Sequence, residues 1–436
     1  MAVTPWGETD LLRSQKLRPG PGTAPDKVER SQRQRLIAAT VAAVGERGYE
    51  ATRVEDILAI AGVSRNSFYK LFSNKRECFV ATLEAVTSLA GPMVLDVYDR
   101  TPGAWDDKIV ALLDALANVV VAQPAVARMG WVEVYAAGPQ AIENAERIDR
   151  AVEEIICRAL EESPDHAGMP REITRAVVGA VRRIVHAHVR EQRTEELPAL
   201  MPALFEWMRS IRTPPERLRR PRRVPDRFAA PVEVPRDARE RILVSVAEIV
   251  AEKGYPDMAI TDIATRAAVS LTTFYAQFDG KEQAFLATLA DAERRLLAAT
   301  IARAAAETEW TLAVATGVHA FLGFLATEPA SAHIGGVGVW ATGPAGLKMH
   351  ADGRRRFGAL LNEGFRLYPA TDPLVEEATG AVFDALIFTT LRGRGAVRLY
   401  QMAPTAIYLT LVPFVGDVEA CRVANLLPRG IGQTTL

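Results

Sequence analysis

VSRNSFYKLFSNK, residues 63–75, returns 206 positions later as VSLTTFYAQFDGK, residues 269–281. With the register set by Gly48 and Gly254, GYEATRVEDILAIAGVSRNSFYKLFSNK pairs with GYPDMAITDIATRAAVSLTTFYAQFDGK, identical at Gly, Tyr, Asp, Ile, Ala, Val, Ser, Phe, Tyr, Phe and Lys. An internal repeat with this spacing is a signal at the level of the fold. Upstream of the first copy, Leu36, Ala39, Thr40, Ala43 and Val44 recur at helical spacing, and Gly48 closes that helix. Thr52 stands three residues before Glu55, which suits a capping box opening a second, short helix through about Ala59. Gly62 and Val63 form a turn, Ser64 caps a third helix carrying RNSFYK, and Ser73 is placed to cap a fourth.

Two short helices joined by a glycine-containing turn make a helix-turn-helix, whose second helix fits the major groove of duplex DNA. Val54, Ile57, Val63, Phe68 and Phe72 would lock the angle between the helices, leaving Arg65, Asn66, Ser67, Tyr69 and Lys70 facing outward. Arg and Asn can address base edges; Tyr, Lys and helix-end amides hold phosphates. A polar run of this length also occurs on any solvated helix face, so the repeat is what gives the pattern weight.

The repetition extends past the heads. QPAVARMGWVEVYAAGPQAI from Gln123 matches EPASAHIGGVGVWATGPAGL from Glu328 at an offset of 205, pairing Pro124 with Pro329, Gly130 with Gly335, and Gly138-Pro139 with Gly343-Pro344. The duplicated object is thus a small head followed by a larger body, each rich in helix-length segments such as WDDKIVALLDALANVVV and REITRAVVGAVRRIVHAHVREQ, without sustained strand alternation. The expected fold is all-α. Its expected parts are a flexible tail over 1–27, a first head over 28–79, a first body over 80–208, an Arg/Pro-rich linker over 209–235, a second head over 236–285 and a second body over 286–436.

Each head resembles the DNA-binding domain of TetR-family transcriptional regulators: a glycine-aromatic pair, a threonine, an aliphatic helix ending Ala-Gly-Val-Ser, an aromatic-Tyr pair, a further aromatic and a Lys. The first copy fits almost throughout and the second less closely. The likeness is specific over about 50 residues of each head and architectural over the bodies. It implies a regulator of transcription, often a repressor, that binds a double-stranded operator and releases it when a small molecule enters the body. By position, Arg65, Asn66, Ser67, Tyr69 and Lys70 resemble the reading surface, and Thr52 and Lys75 resemble phosphate-contacting positions. The second copy offers Thr272, Thr273, Tyr275 and Lys281 at matching sites, but Met258, Leu271 and Ala276 replace Thr52, Arg65 and Lys70. From Lys27 to Glu77 there are ten basic and six acidic residues, 10 − 6 = +4; from Arg236 to Gln283 there are six and eight, 6 − 8 = −2. Phosphate binding is chiefly electrostatic, so the first head should hold DNA more strongly. The second head could alternatively persist as a packing module.

The remaining composition sets bounds. The chain has 436 residues, 49% hydrophobic and 24% charged, with net charge −1, enough for two to four domains. Cys78, Cys157 and Cys421 lie far apart, without metal-ligand or redox-pair spacing. The first residues lack a secretory apolar core. No run is expected to reach the roughly 18–20 uncharged apolar residues of a membrane span, which places the chain in the cytoplasm and off the membrane. His186 and His188 are two apart, a poor spacing for one helical face, and GGVGVWATG lacks the Lys-Ser/Thr ending of a phosphate loop. No cofactor, metal or catalytic function is expected.

In the bodies, Trp131, Tyr135, Phe205 and Trp340 could wall a pocket for a small apolar or aromatic effector, with His186, His188 or Arg182 meeting a polar group; packing within the core or an interface explains the same aromatics. Arg354–Arg356 reads as a solvated helix face. The linker carries eight Arg between Arg209 and Arg227, of which Arg219, Arg220, Arg222 and Arg223 are placed for phosphates or for neutralising acidic faces. Duplication lets one chain act as an intramolecular pseudo-dimer that reads unlike half-sites; pairing of two such chains into a homodimer is the other arrangement. An architectural DNA-binding or protein-interaction module without effector response is the competing function.

Overall fold

The computed structural model describes residues 9–17, 24–231 and 234–426, apart from the side chains of 90–95. Parts of the expected tail (1–8 and 18–23), of the linker (232–233) and of the second body (427–436) therefore lie outside the described residues. The first repeat comprises α1 (Thr9–Ser14), α2 (Pro25–Arg47), α3 (Val54–Ala61), α4 (Arg65–Leu71), α5 (Lys75–Arg100), α6 (Trp105–Ala122), α7 (Pro124–Ala127), which runs into a π-helical turn at Arg128–Glu133, then α8 (Pro139–Glu161), α9 (Arg171–Arg190) and α10 (Leu197–Ser210). The second comprises α11 (Ala238–Lys253), α12 (Ile260–Arg266), α13 (Leu271–Tyr275), α14 (Lys281–Ala304), α15 (Trp310–Thr327), α16 (Pro329–Gly336), α17 (Pro344–Gly358), α18 (Asn362–Leu367), α19 (Leu374–Gly393) and α20 (Ala403–Leu426). The chain is all-helical, with no strand among the described residues, as expected.

Two compact units form. One holds Met1–Ser163 and Ile184–Phe205, the other Pro164–Arg183 and Glu206–Leu436. The second unit thus takes in the first half of α9, although the repeat assigns that helix to the first body. There Gly179 lies so close to α19 that an added Cβ would sit 2.6 Å from Cβ of Ala385.

In the first unit, the head is a small core of Leu36, Ala39, Ala43, Ile57, Ala61, Val63, Phe68, Phe72 and Cys78. Burial pushes the Cys78 thiol up to about 11, so it stays protonated as a packing group. Gly48 (φ 82) ends α2 and Gly62 (φ 61, ψ 38) ends α3 in the left-handed region. In the second head the residue matching Gly62 is Ala268, held at φ 51. A Cβ is disfavoured there, so Ala268→Gly is expected to stabilise that head by about 0.5–1 kcal/mol after the entropy cost of glycine, seen as a higher melting temperature; an unchanged or lower one would contradict the strain.

In the second unit, α15 is the central helix. The expectation that no run is long and apolar enough to cross a membrane needs correcting: WTLAVATGVHAFLGFLAT qualifies by length and composition, and 78% of it is buried inside the fold. It can be free of charge because α14, α20 and the 3-10 turn over Ala396–Met402 pack around it, leaving no solvent-facing stripe. The linker is fastened to this unit. Phe228 packs over Gly323 and stacks on His319 with ring centres 5.7 Å apart, and His319 Nδ1 lies 3.0 Å from the Tyr400 hydroxyl. The Arg219 amide donates to Asn425 Oδ1 at 2.8 Å, and Arg220 pairs with Glu172. Among the four arginines expected to meet phosphates, Arg220 is thereby held to an acidic face, while Arg222 and Arg223 are exposed.

Candidate nucleic-acid interface

In the first head, Ser64 Oγ accepts the Ser67 amide at 3.2 Å and starts α4. Phe68, fully buried, is the pin that holds α4 against α2 and α3, with Phe72 5.8 Å away centre to centre. With that side fixed, Arg65, Asn66, Tyr69 and Lys70 are exposed and Ser67 is half-buried, its hydroxyl 3.0 Å from that of Ser64. Arg65 sits 3.3 Å from Glu55 and 5.7 Å from the centre of the Tyr69 ring. The five residues expected on one outward surface are therefore brought together.

The second head repeats the frame. Ser270 Oγ accepts the Thr273 amide at 3.0 Å, Phe274 is fully buried, and Thr272 and Tyr275 are exposed with Thr273 half-buried. Arg35 donates to the Ala61 and Gly62 carbonyls at 2.8 and 3.0 Å, and its equivalent Arg241 donates to Ala267 at 3.0 Å. Arg47–Asp56 and Lys253–Asp262 form matching ion pairs, and Tyr49–Phe79 and Tyr255–Phe285 matching edge contacts at 5.1 and 4.9 Å. The supporting structure is common to both copies, whereas the outward residues differ in charge and size.

Two capping expectations are corrected. The cap of α3 is Arg53, whose amide donates to Asp56 Oδ2 at 2.8 Å. Thr52 instead turns inward, its hydroxyl donating to the Gly48 and Ala43 carbonyls at 2.7 and 3.2 Å, and with 1% exposure that hydroxyl is occupied rather than presented to phosphate. The cap of α5 is Asn74, accepting from the Glu77 amide at 2.9 Å; the Ser73 amide donates to the Glu77 carboxylate at 2.7 Å. An amide oxygen one residue closer to the helix wins over the serine.

Lys75 and Lys281 also point inward. Lys75 Nζ donates to the Tyr49 and Thr52 carbonyls at 2.7 and 2.9 Å and lies 4.1 Å from the Tyr49 ring centre. Burial lowers its pKa, opposed by Glu50 and Glu133. Lys281 makes the same clamp more loosely, 3.3 and 3.4 Å from the Pro256 and Met258 carbonyls. Each lysine ties the loop before the second head helix to the start of the long helix. Losing charged hydrogen bonds of this kind costs about 1.5–3 kcal/mol, so Lys75→Ala is expected to destabilise its head by about 2 kcal/mol, more than Lys281→Ala. Comparing hydrogen-exchange protection of the two heads in each variant checks it; equal losses would contradict the geometry.

Sequence reasoning missed a clasp between head and body in the first unit. Glu133 Oε2 accepts the Tyr49 amide at 2.8 Å and its Oε1 accepts Arg128 Nε at 2.9 Å, while Arg128 Nη1 donates to the Gly45 and Glu46 carbonyls at 3.1 Å each. The carbonyls at the end of α2 and the amide beyond Gly48 are thus held by the π-helical turn. At an offset of 205 the second repeat has His333 and Gly338. Gly338 approaches α11 so closely that an added Cβ would lie 2.6 Å from Val250. The signal available was the matched segment from Gln123, whose two copies differ at these positions.

Of the residues expected to wall an effector pocket, Trp131, Tyr135, His186, His188 and Phe205 fall in the first unit and Trp340 in the second. Tyr135 meets His186 edge-on at 5.8 Å and Phe205 tilts against Trp105 at 6.1 Å. Trp131 is half-buried, and His186 and His188 are buried rather than solvent-facing. Trp340, in the other unit, donates to the Gly336 carbonyl at 3.0 Å beneath the Arg183 guanidinium, 3.9 Å from its ring centre. A cavity of about 100 Å³ lies elsewhere, between α14, α15, α16, α17 and α19 of the second unit, lined by Phe321, Phe357, Phe383, Glu293 and Arg354 among others. Arg354, expected on a solvated face, instead reaches Asp384 at 3.1 Å, while Arg355 is exposed. Among the described residues no cluster of three His, Cys, Asp or Glu could hold a metal ion.

Both heads match the model of bacterial regulatory proteins, tetR family, over residues 36–82 and 242–288. Among solved structures the chain is similar to the fatty acid degradation regulator FadR from Bacillus halodurans, at 16% identity and TM-score 0.36 over 40% of this chain and 95% of that one. FadR from Bacillus subtilis in complex with stearoyl-CoA is 17% identical with TM-score 0.36 over 40% and 95%. A TetR-like transcriptional regulator from Rhodococcus sp. RHA1 is 18% identical with TM-score 0.33 over 43% and 99%. No curated protein matches the chain.

Proposed function

We propose that this chain, a tandem TetR-like transcriptional regulator rather than an enzyme, uses its two unlike heads to bind an asymmetric double-stranded operator, and that a small molecule in a helical body controls the binding. One observation carries the reading: two equivalent supports, each built on a buried Phe and a Ser cap, present outward surfaces of different chemistry, RNSFYK and LTTFYA. The first supplies Arg65 and Lys70 for base edges and phosphates; the second supplies Thr272, Thr273 and Tyr275, which can bond either but bring no charge. Lys75 and Lys281 act by fixing the loop that precedes the first helix of each helix-turn-helix, and the backbone amides at the starts of the reading helices are the groups offered to phosphate.

An intramolecular pseudo-dimer is the arrangement we favour. Its support is the first half of α9, a helix of the first repeat that is packed within the second unit against α19. Repression is the mode of action that best suits release by an effector. Footprinting on the DNA beside the coding region, with mass measurement of the bound species, tests the reading. A protected stretch made of two unlike half-sites, bound by one chain, is expected. Equal affinity for random duplex would instead favour an architectural DNA-binding module, and two chains on a symmetric site would favour the homodimer.

A further inference from the structure

The cavity in the second unit has an aromatic end and a charged end. Phe321, Phe357 and Phe383 form a three-ring cluster with centres 4.6, 5.5 and 5.3 Å apart. At the other end Asp384, buried, is bracketed by His350 Nε2 at 3.0 Å and Arg354 Nη1 at 3.1 Å. Burial would raise its pKa, but those partners outweigh burial and hold the carboxyl at about 2. Arg354 is in turn pressed against Gly380, where a Cβ would stand 2.6 Å from its Cδ. Asp384 and Arg354 are therefore committed to each other and offer little to a guest.

Glu293 is different. Its side chain is 14% exposed and its ion-pair partner is Arg356, 3.1 Å away and 58% exposed. It lies against Gly353, where a Cβ would come within 2.7 Å of Oε1. Glu293 and Leu297 line both the inner cavity and an outer depression bounded by Ala290, Arg294, Met349 and Arg356. The Glu293–Arg356 pair thus stands at the neck between the two, with an exposed cationic side chain on the solvent side and an acid that also lines the inner cavity. In the head register the first repeat has Thr87 at the matching place, so the acid belongs to the second body alone.

We propose that this cavity binds a small organic cation, its apolar part among the phenylalanine rings and its ammonium group on the Glu293 carboxylate in the place of the Arg356 guanidinium. Ring faces and a desolvated carboxylate both attract a cation. An anion would meet Glu293 and Asp384 with the nearest inner guanidinium already taken. The space, about 100 Å³, is somewhat below the roughly 150 Å³ of an engineered cavity that takes up benzene, which limits the buried part to about one small ring or a short chain. As an effector site it rests on the regulatory reading above; as a binding site it stands by itself.

Calorimetry on the full chain with three probes of one shape tests it: phenethylamine, phenylacetate and ethylbenzene. The amine should bind, and Glu293→Gln should weaken it at least about tenfold. Burial pushes Glu293 up to about 7, against the pull of His350 and Arg356 and with Asp352 adding to the rise. Its negative form dominates above that pH and is lost below it, so amine affinity should rise about tenfold between pH 6 and pH 8 while the probe stays protonated, and the Gln variant should lose this dependence. Ala292→Phe, which fills the cavity, should abolish binding with its folding checked by melting. Phenylacetate binding as tightly as the amine, an unaffected Gln variant, or a pH dependence that survives in it would each overturn the proposal. Amine binding that leaves DNA affinity unchanged would uphold the site and remove its effector role; release of DNA by another compound, with no amine bound, would do the reverse.

Discussion

Phe68→Ala is expected to cost the first head about 3–5 kcal/mol and to remove DNA binding by that head at ordinary temperature. The ring is fully buried and touches the three helices whose relative angle defines the motif. Truncation leaves a cavity in the cluster it shares with Leu36, Ile57 and Phe72, under a short helix whose start is fixed by the Ser64 cap, so little can collapse into it. Small domains are stable by about 5–15 kcal/mol, so such a loss brings a head of about 50 residues close to unfolding. Phe68→Leu, which keeps most of the volume, should cost far less. Denaturant unfolding read by a probe in the first head checks the prediction, and a loss under about 1 kcal/mol would mean that α4 is held by something other than this ring. Phe274→Ala should have the same effect on the second head and leave the first intact, because the two cores lie in separate units.

The parts of this structure legible in the sequence are those set by local spacing. Gly48 and Gly254 end their helices with φ 82 in both copies, Ser64 and Ser270 cap the reading helices, and Phe68 and Phe274 face inward. Each follows from a residue type acting within one turn of its own position. Where two neighbours competed for one task, spacing did not decide. Asp56 satisfies the Arg53 amide and frees Thr52 to bond back to Gly48, and Asn74 displaces Ser73. Lys75 and Lys281 carry a further ambiguity, since a long side chain on the first turn of a helix can reach solvent or fold back onto carbonyls about 25 residues earlier. The cavity was least legible. Its acid, its rings and Asp384 come from four helices spread over residues 289–387, and nothing in their spacing links Glu293 to Phe357 or Phe383. The large aromatics singled out from the sequence, Trp131, Tyr135, Phe205 and Trp340, fall in two different units.

Arg65→Ala combined with Lys70→Ala is expected to weaken operator binding by about 10- to 100-fold and to lower the slope of log affinity against log salt by about one for each side chain that meets a phosphate. Both groups are exposed on α4, and among the described residues Arg65 meets Glu55 and Tyr69 at the surface. An exposed ion pair of this kind contributes little, so exchanging Glu55 for DNA costs the guanidinium little. If Arg65 reads a guanine edge, its loss should also relax specificity at one base pair; if it meets phosphate, all sequences should weaken alike. The second head supplies the contrast. Leu271 and Ala276 stand where these cations are, on the same frame, in a segment with net charge 6 − 8 = −2 against 10 − 6 = +4. Thr272→Ala with Thr273→Ala should therefore cost less and leave the salt slope nearly unchanged. Leu271→Arg with Ala276→Lys should raise non-specific affinity and steepen the slope by up to about two, because the support that would present those charges already exists. Filter binding or fluorescence anisotropy over a salt series separates these outcomes. A chain indifferent to the Arg65 and Lys70 changes would show that the outward face of α4 is not what meets the duplex.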